Sequence, residues 1–164
     1  MEPLLFLDID GVLNTPESYA PGRALIEPAC ARQLQRVIDA TGARLVLSSA
    51  WRYQILRGAV TLQGFQHLLR SHGIRAHVLG TTGRDARDTQ QEYDGRTGPQ
   101  ERARQIRSWL ADCPEAPLPR WAVVDDAKLS LADPELPIVE TDGGVGLTPA
   151  DADRLITLLR RKGA

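Results

Sequence analysis

Two aspartates, one residue apart, follow a short apolar run near the amino terminus, in the sequence LLFLDIDG. Leu4 to Leu7 predict a strand buried on both faces, because a half-buried strand would alternate apolar with polar residues. Residues two apart point to the same side of an extended chain, so Asp8 and Asp10 project together, and Gly11 lets the backbone turn away. Converging carboxylates repel, and a bound cation or a shared proton relieves the repulsion. The stretch therefore favours metal or acid–base chemistry, with an acidic turn as the simpler alternative.

The same pattern recurs at two later positions. The apolar segment RLVL leads directly into Ser48 and Ser49. The apolar segment WAVV leads directly into Asp125 and Asp126. Each pair has an ordinary structural explanation, since serines cap helices and acidic residues favour turns. Three such coincidences at strand ends are harder to explain in this way than one, so we expect the three groups to form a single site.

Helical patterns separate the predicted strands. Pro28 opens one helix, which ends at Gly42, and Pro99 opens another. Strands that alternate with helices predict an α/β fold, in which a mostly parallel sheet is covered on both faces. Ligands of such folds bind beyond the carboxyl ends of the strands, where the three polar groups lie. The remaining predicted elements are helical over 51–72, with an interruption at 58–64, helical from Thr148-Pro149 onwards, and extended over 76–79 and 137–140.

The order of these motifs resembles the haloacid dehalogenase (HAD) superfamily of phosphohydrolases and phosphotransferases. The superfamily's first motif, Asp-x-Asp-Gly-Val/Thr-Leu after a hydrophobic strand, is matched at residues 8–13. Its second motif, a Ser or Thr at the end of the next strand, is matched by Ser48, with Ser49 as the substitute. Its fourth, an acid pair that closes a later strand, is matched by Asp125-Asp126. The segments SSAWR, RARQIRSWL and GLTPADADRL resemble more narrowly the HAD-type domain of bacterial RNA-repair proteins.

The resemblance implies a single hydrolase domain over 1–164, with a three-layer, Rossmann-like HAD fold, a mostly parallel sheet and a minimal cap. It also implies a Mg2+-dependent phosphatase that acts through an aspartyl phosphate. Asp8 would bind the metal and attack phosphorus, while Asp10 would offer its backbone carbonyl to the metal and its carboxyl for proton transfer. Asp125 or Asp126 would complete the metal shell. Ser48 would donate a hydrogen bond to the transferred phosphoryl group.

The third motif of the superfamily is usually a lysine on the helix before the fourth strand. Neither Lys128 nor Lys162 lies on that helix. Arg102, four residues before Ile106, is the best replacement, and Arg104 is the second candidate. Arginine keeps the positive charge and can fork onto two phosphoryl oxygens, but its reach differs from that of lysine.

The expected substrate-binding residues are Gly11, Asn14, Ser49 and Arg52. Arg52 is a candidate contact for substrate phosphate. Trp51 is a candidate for stacking on a base, with burial in the core as the alternative. The segment 14–27 is expected to be a short flap loop, and the polar segment 84–98 a flexible loop. Neither leaves room for a large cap, so we expect an open site.

The open site favours a phosphorylated nucleic-acid end as substrate, and a nucleotide or a phosphosugar is the alternative. Residues 44–107 contain eleven arginines and five acidic residues, a net charge of +6 that could attract phosphorylated substrates, with a solvated, arginine-rich surface as the alternative. A phosphoacceptor signalling domain has a similar fold and aspartyl phosphate, but its motifs occur in a different order. A catalytically weak phosphate-binding domain is a further alternative.

The composition is that of an ordinary globular protein. The chain has 164 residues, of which 42% are hydrophobic and 25% charged, and its net charge is −1. Its apolar runs are too short to cross a bilayer, and a basic region followed by a long apolar one is missing at the amino terminus. These features predict a soluble, cytoplasmic protein without membrane association.

Overall fold

The computed structural model describes residues 1–83 and 98–160. This part of the chain contains one parallel sheet of five strands in the spatial order β3-β2-β1-β4-β5. The central strand, β1, therefore has a neighbour on each side, and Leu7 is aligned with both Leu47 and Val124. The strands are β1 (Leu4–Leu7), β2 (Arg44–Leu47), β3 (Val78–Thr81), β4 (Trp121–Asp125) and β5 (Ile138–Glu140).

Helices connect the strands and cover both faces of the sheet. They are α1 (Pro28–Thr41), α2 (Arg52–Leu56), α3 (Leu62–Ser71), α4 (Pro99–Ala111), α5 (Leu129–Ala132) and α6 (Pro149–Arg160). The predicted α/β class and the three-layer arrangement around a mostly parallel sheet are confirmed, and every strand pair is parallel. In the described residues, no helix is both long enough and apolar enough to cross a membrane.

The two faces of β1 pack into different hydrophobic clusters. Leu5 and Leu7 belong to a cluster with residues of α1, α3 and α6, whereas Leu4 and Phe6 belong to a cluster with residues of α4 and α5. All four side chains are almost fully buried. This two-sided burial explains the uninterrupted apolar run in the sequence. It also fixes the central strand, and with it the position of Asp8 at the strand's carboxyl end.

Several predicted helix ends are confirmed by their local contacts. Helix α1 has Pro28 in its first turn and ends at Gly42, whose φ of 69° is favourable only for glycine. Helix α6 begins after Thr148, whose hydroxyl accepts a hydrogen bond from the N–H of Asp151. The Asp151 carboxylate accepts one from the N–H of Thr148 in return, so the two residues form a capping box.

Other boundaries differ from the predictions. Strand β3 begins at Val78, two residues later than predicted, and its first partner in β2 is Leu45. The expected flap loop at 14–27 contains a short 3-10 helix, Pro16–Tyr19, where proline is favourable at a helix start. Helix α5 was not predicted. The expected polar loop at 84–98 lies, apart from its last residue, outside the described residues.

Candidate active site

Polar residues follow the carboxyl ends of all five strands. The backbone N–H groups of Asp8, Ser48, Thr82 and Thr141 continue the hydrogen-bond ladder past the named strands, with bonds of 2.8–3.0 Å to the neighbouring strands. Because the strands are parallel, these residues and Asp125 lie along one edge of the sheet. The structure thus brings together the three polar groups expected from the sequence. It adds Thr82 and Thr141, which sequence reasoning did not single out.

Three carboxylates meet at the centre of this edge. One oxygen from each of Asp8, Asp125 and Asp126 lies within 4.8 Å of the others. Asp8 is 2% exposed and Asp125 is fully buried, whereas Asp126 is more open. Mg2+ takes oxygen ligands at about 2.1 Å, so two of its ligands lie at most about 4.2 Å apart. The three carboxylates therefore lie close enough together to share a magnesium ion after small shifts of their side chains.

Two glycines leave space for the Asp126 side chain. A Cβ atom on Gly11 or on Gly143 would lie less than 3.0 Å from the Asp126 carboxylate. Gly11 also has a φ of 78°, which other residues rarely adopt. Its carbonyl oxygen accepts a hydrogen bond of 2.8 Å from the Thr141 hydroxyl. The structure therefore gives Gly11 a role in positioning an acid, and its expected contact with substrate stays a prediction.

Arg102 places a positive charge next to the buried acids. Its Nη1 lies 2.9 and 2.8 Å from the two carboxylate oxygens of Asp125, and 3.4 Å from Asp8 Oδ2. The side chain is 15% exposed. Arg104, the second candidate for this position, is paired instead with Glu101 on the outside of α4. The helix therefore directs Arg102, and not Arg104, toward the acids.

The electrostatics of the cluster favour an additional positive charge. Burial, reinforced by the neighbouring Asp125, raises the pKa of Asp8 well above its usual range, although Arg102 opposes the shift. Burial also raises the pKa of Asp125, again against the effect of Arg102. Within residues 1–83 and 98–160, the Arg102 guanidinium thus leaves the three carboxylates incompletely neutralised. A divalent cation would supply the missing charge.

The Asp10 carboxylate is not part of this cluster and accepts hydrogen bonds from a set of donors. Trp51 Nε1 lies 3.1 Å from each of its oxygens, and Asn14 Nδ2 lies 3.0 Å from Oδ1. The Tyr19 hydroxyl also donates to Oδ1. Burial and the adjacent Asp10 raise the pKa of Tyr19 to about 12, so this hydroxyl stays protonated at neutral pH. Sequence reasoning missed Tyr19, because it lies in an aperiodic segment and reaches Asp10 only through the fold.

The serine motif lies inside the protein. Ser48 is fully buried, and its hydroxyl has no hydrogen-bond partner within residues 1–83 and 98–160. The Thr82 hydroxyl is likewise buried and has no hydrogen-bond partner within those ranges. The Ser49 hydroxyl accepts a hydrogen bond of 3.3 Å from the N–H of Trp51, which is a local turn contact. Ser48 and Thr82 are therefore the hydroxyl groups at this edge that could donate to a bound phosphoryl group.

Two of the expected substrate-binding residues have partners inside the protein. Arg52 is fully buried, and its Nη2 donates a hydrogen bond of 2.6 Å to Gln105 Oε1, which joins α2 to α4. Asn14 is also fully buried, and its Oδ1 accepts from the N–H of Gly11. The structure thus gives both side chains positioning contacts. Contacts of Asn14 and Arg52 with substrate remain predictions.

Comparison with known proteins adds a family to this geometry. Residues 4–152 match the family model described as the HAD domain in Swiss Army Knife RNA repair proteins. No curated protein and no solved structure matches the chain significantly. The matched range contains the whole sheet, the three carboxylates and Arg102. The chain therefore belongs to the HAD domains of Swiss Army Knife RNA repair proteins.

Proposed function

We propose that this protein is a Mg2+-dependent phosphatase that hydrolyses phosphomonoesters through an aspartyl phosphate on Asp8. The observation that carries the proposal is the position of Asp8. It is a buried carboxylate at the end of the central strand, with Arg102 3.4 Å away and two further carboxylates beside it. Membership of a HAD family supports phosphohydrolase chemistry at the level of the family.

The metal would be held by Asp8 and by Asp126 or Asp125, together with the backbone carbonyl of Asp10. When bound, it would neutralise charge on both the nucleophilic carboxylate and the phosphate ester, which otherwise repel each other. The oxygen-only donor set and its spacing support magnesium.

The chain's own residues divide the two chemical steps between them. A carboxylate oxygen of Asp8 attacks phosphorus, the bond from phosphorus to the ester oxygen breaks, and the Asp10 carboxyl gives its proton to the departing oxygen. Water then attacks phosphorus while Asp10 takes back a proton. The bond from phosphorus to Asp8 breaks, which releases phosphate and regenerates the free carboxylate. The fixed position of Asp10, with donors from three residues, suits a group that must act twice in one place.

Arg102 and Ser48 would stabilise the transferred group. Negative charge spreads over three oxygens in the transition state of phosphoryl transfer. Arg102 lies within reach of Asp8 and would offset that charge, and the Ser48 hydroxyl would donate one hydrogen bond to it. In this proposal Arg102 takes the place of the lysine that is usual in the superfamily.

A phosphorylated nucleic-acid end is the substrate class that we propose. Its support is the description of the matched family as a domain of RNA repair proteins, together with the surplus of arginine over residues 44–107. Polyanionic substrates are attracted by such a surplus. Nucleotides and phosphosugars are the competing substrates, and they belong in the same experiment.

The test is release of phosphate with Mg2+ or with a chelator, from an aryl phosphate, nucleotides, phosphosugars, and 3′- and 5′-phosphorylated oligonucleotides. We expect repeated turnover that requires Mg2+ and that Asp8→Asn reduces to background. Asp39→Asn is the matched control, because Asp39 is an exposed aspartate on α1. Full activity in Asp8→Asn would refute the mechanism, and a single stoichiometric phosphorylation would indicate a phosphoacceptor domain.

A further inference from the structure

A largely apolar cavity of about 400 Å3 opens beside Asp10, between the flap segment and helices α2 and α3. Its volume lies in the usual range for small-ligand sites, which is about 300–1,000 Å3. Trp51, Ile55 and Leu68 in its lining also pack against the main hydrophobic cluster, and Phe65 is buried within that cluster. The cavity wall is therefore part of the folded core and is formed before any ligand arrives.

The cavity lies next to Asp10, which gives a proton to the leaving group in the proposed reaction. In that reaction the phosphoryl group goes to Asp8, and Asp10 gives its proton to the ester oxygen that departs. The rest of the substrate is attached to this oxygen, so it must extend past Asp10. Asp10 and Tyr19, which donates to it, both line the cavity. The cavity therefore lies where the part of the substrate that carries the phosphate has to go.

The chemistry of the lining favours a flat and mostly apolar group. Trp51, Tyr19 and Tyr53 contribute aromatic rings, and Ile55, Phe65 and Leu68 contribute apolar side chains. Nucleobases stack on aromatic side chains and offer polar edges for a few hydrogen bonds. A phosphosugar carries many hydroxyl groups, and most of them would be left without partners against these apolar side chains.

A positive charge borders the same cavity. The Arg57 guanidinium carbon lies 4.9 Å from the centre of the Tyr53 ring, which lines the cavity. Arg57 itself is exposed at the end of α2. An exposed guanidinium next to a base-sized cavity suits the phosphodiester that follows a terminal nucleotide.

From these observations we infer that the cavity binds the base of the terminal nucleotide of a phosphorylated oligonucleotide. The inference rests on the proposed function for its placement of the leaving group. It adds to that function a defined binding surface, with Trp51 and Tyr53 in contact with the base. Each stacked base is worth about 1–3 kcal/mol in affinity, which is about 5- to 150-fold.

The experiment measures equilibrium binding, so that it does not depend on turnover. The protein carries Asp8→Asn and is kept in Mg2+, and the probes are oligonucleotides with a dye at the far end. Two probes are identical except that the phosphorylated terminal nucleotide either has its base or lacks it, and each pair is made with a 3′- and a 5′-phosphate. We expect the end with a base to bind about 5- to 150-fold more tightly for at least one of the two pairs.

Variants of the lining connect this preference to the cavity. Tyr53→Ala removes one ring and should bring the ratio of the two dissociation constants toward one. Val60→Glu, at a residue that lines the cavity and is 40% exposed, tests the same point if Tyr53→Ala does not fold. Leu131→Ala is the control, because Leu131 is an exposed apolar residue of α5 outside the cavity lining. It should keep the ratio of the parent protein.

The outcomes separate the cavity from the phosphatase activity. Equal binding of the two ends, a preference that survives the variants in the lining, or equally tight binding of a phosphosugar would overturn the inference. Phosphate release by the wild-type protein would nevertheless support the proposed function. A preference for the end with a base, without phosphate release from any substrate, would overturn the proposed function and leave the base site in place.

Discussion

Replacing Arg102 with alanine is expected to destabilise the protein, because it removes a positive charge from between buried carboxylates. Nη1 of this guanidinium lies 2.8–3.4 Å from carboxylate oxygens of Asp125 and Asp8. Without it, Asp8 and Asp125 would be left close together in the interior. Uncompensated buried charge is among the costliest changes that a point mutation can make.

The size of the effect follows from burial. Asp8 is 2% exposed and Asp125 is 0% exposed, while the Arg102 side chain is 15% exposed. Removing one partner of a buried ion pair costs about 3–5 kcal/mol. Because Arg102 retains some contact with solvent, we expect the lower end of this range, about 3 kcal/mol. For a chain of this length, that corresponds to a decrease in Tm of about 6–12 °C.

Thermal and urea unfolding of Arg102→Ala in chelator measures this loss at neutral pH. Mg2+ should restore part of the stability of the variant, because a bound cation replaces some of the missing charge. Arg102→Lys should be milder than Arg102→Ala, since a lysine ammonium keeps a positive charge beside the two acids. Arg104→Ala is the control on the same helix, and a change within about 0.5 kcal/mol is expected there. Wild-type stability of Arg102→Ala in chelator would refute the assignment of Arg102 as the counter-charge of the acids.

Three further predictions test the groups around the cluster. Gly11→Ala should lower the free energy of unfolding and weaken Mg2+ binding, because the added Cβ would clash with the Asp126 carboxylate. Gly22→Ala is the control, because Gly22 has the same φ of 78° but open space around it. Equal effects of the two variants in calorimetry would contradict the close contact at Gly11. Asp151→Asn should cost about 1 kcal/mol at pH 7 in urea unfolding. Burial raises the pKa of Asp151, but the Thr148 N–H and Arg154 outweigh burial and lower this pKa overall. The stabilisation by the Asp151 carboxylate is therefore present above the pKa of the unfolded state and is lost as the pH falls through the pKa of the folded state. An equal cost of Asp151→Asn at pH 3 and pH 7 would contradict this sign. Trp51→Phe keeps an aromatic ring but removes the N–H that donates to Asp10, so kcat should fall on the order of tenfold, by a larger factor than KM rises. Trp109→Phe is the control and should leave kcat and KM unchanged. A change in KM alone for Trp51→Phe would argue against a role of Trp51 in positioning Asp10.

The fold could be predicted from the sequence where the determining interactions are local. The start of α6 is an example, because Thr148 and Asp151 form a capping box within four residues. The start of β3 was wrong because it depends on pairing with β2, more than 30 residues away, where Leu45 is aligned with Val78 and Leu47 with Thr81. The four residues of α5 are too few to show a helical period.

In the candidate site, too, the residues marked by a local sequence pattern could be predicted and those positioned by distant contacts could not. The positions of Asp8, Ser48 and Asp125 could be predicted, since Asp8 and Ser48 directly follow apolar strands of a parallel sheet and Asp125 is the last residue of another. Tyr19 and Gly143 could not, because they reach Asp10 and Asp126 through the folded chain and no local pattern marks them. The choice of Arg102 over Arg104 rests on helical spacing, which places Arg102 on the same side of α4 as the buried Ile106.

The central claim is that Asp8 carries the phosphoryl group during turnover. The most direct measurement is to mix the protein with Mg2+ and a substrate that it hydrolyses, quench in acid during the steady state, and map the modified peptide by mass spectrometry. We predict a phosphoryl group on Asp8 in the wild-type protein, and none on that peptide in Asp8→Asn. Steady phosphate release with Asp8 unmodified throughout, or with Asp8→Asn still active, would contradict the account.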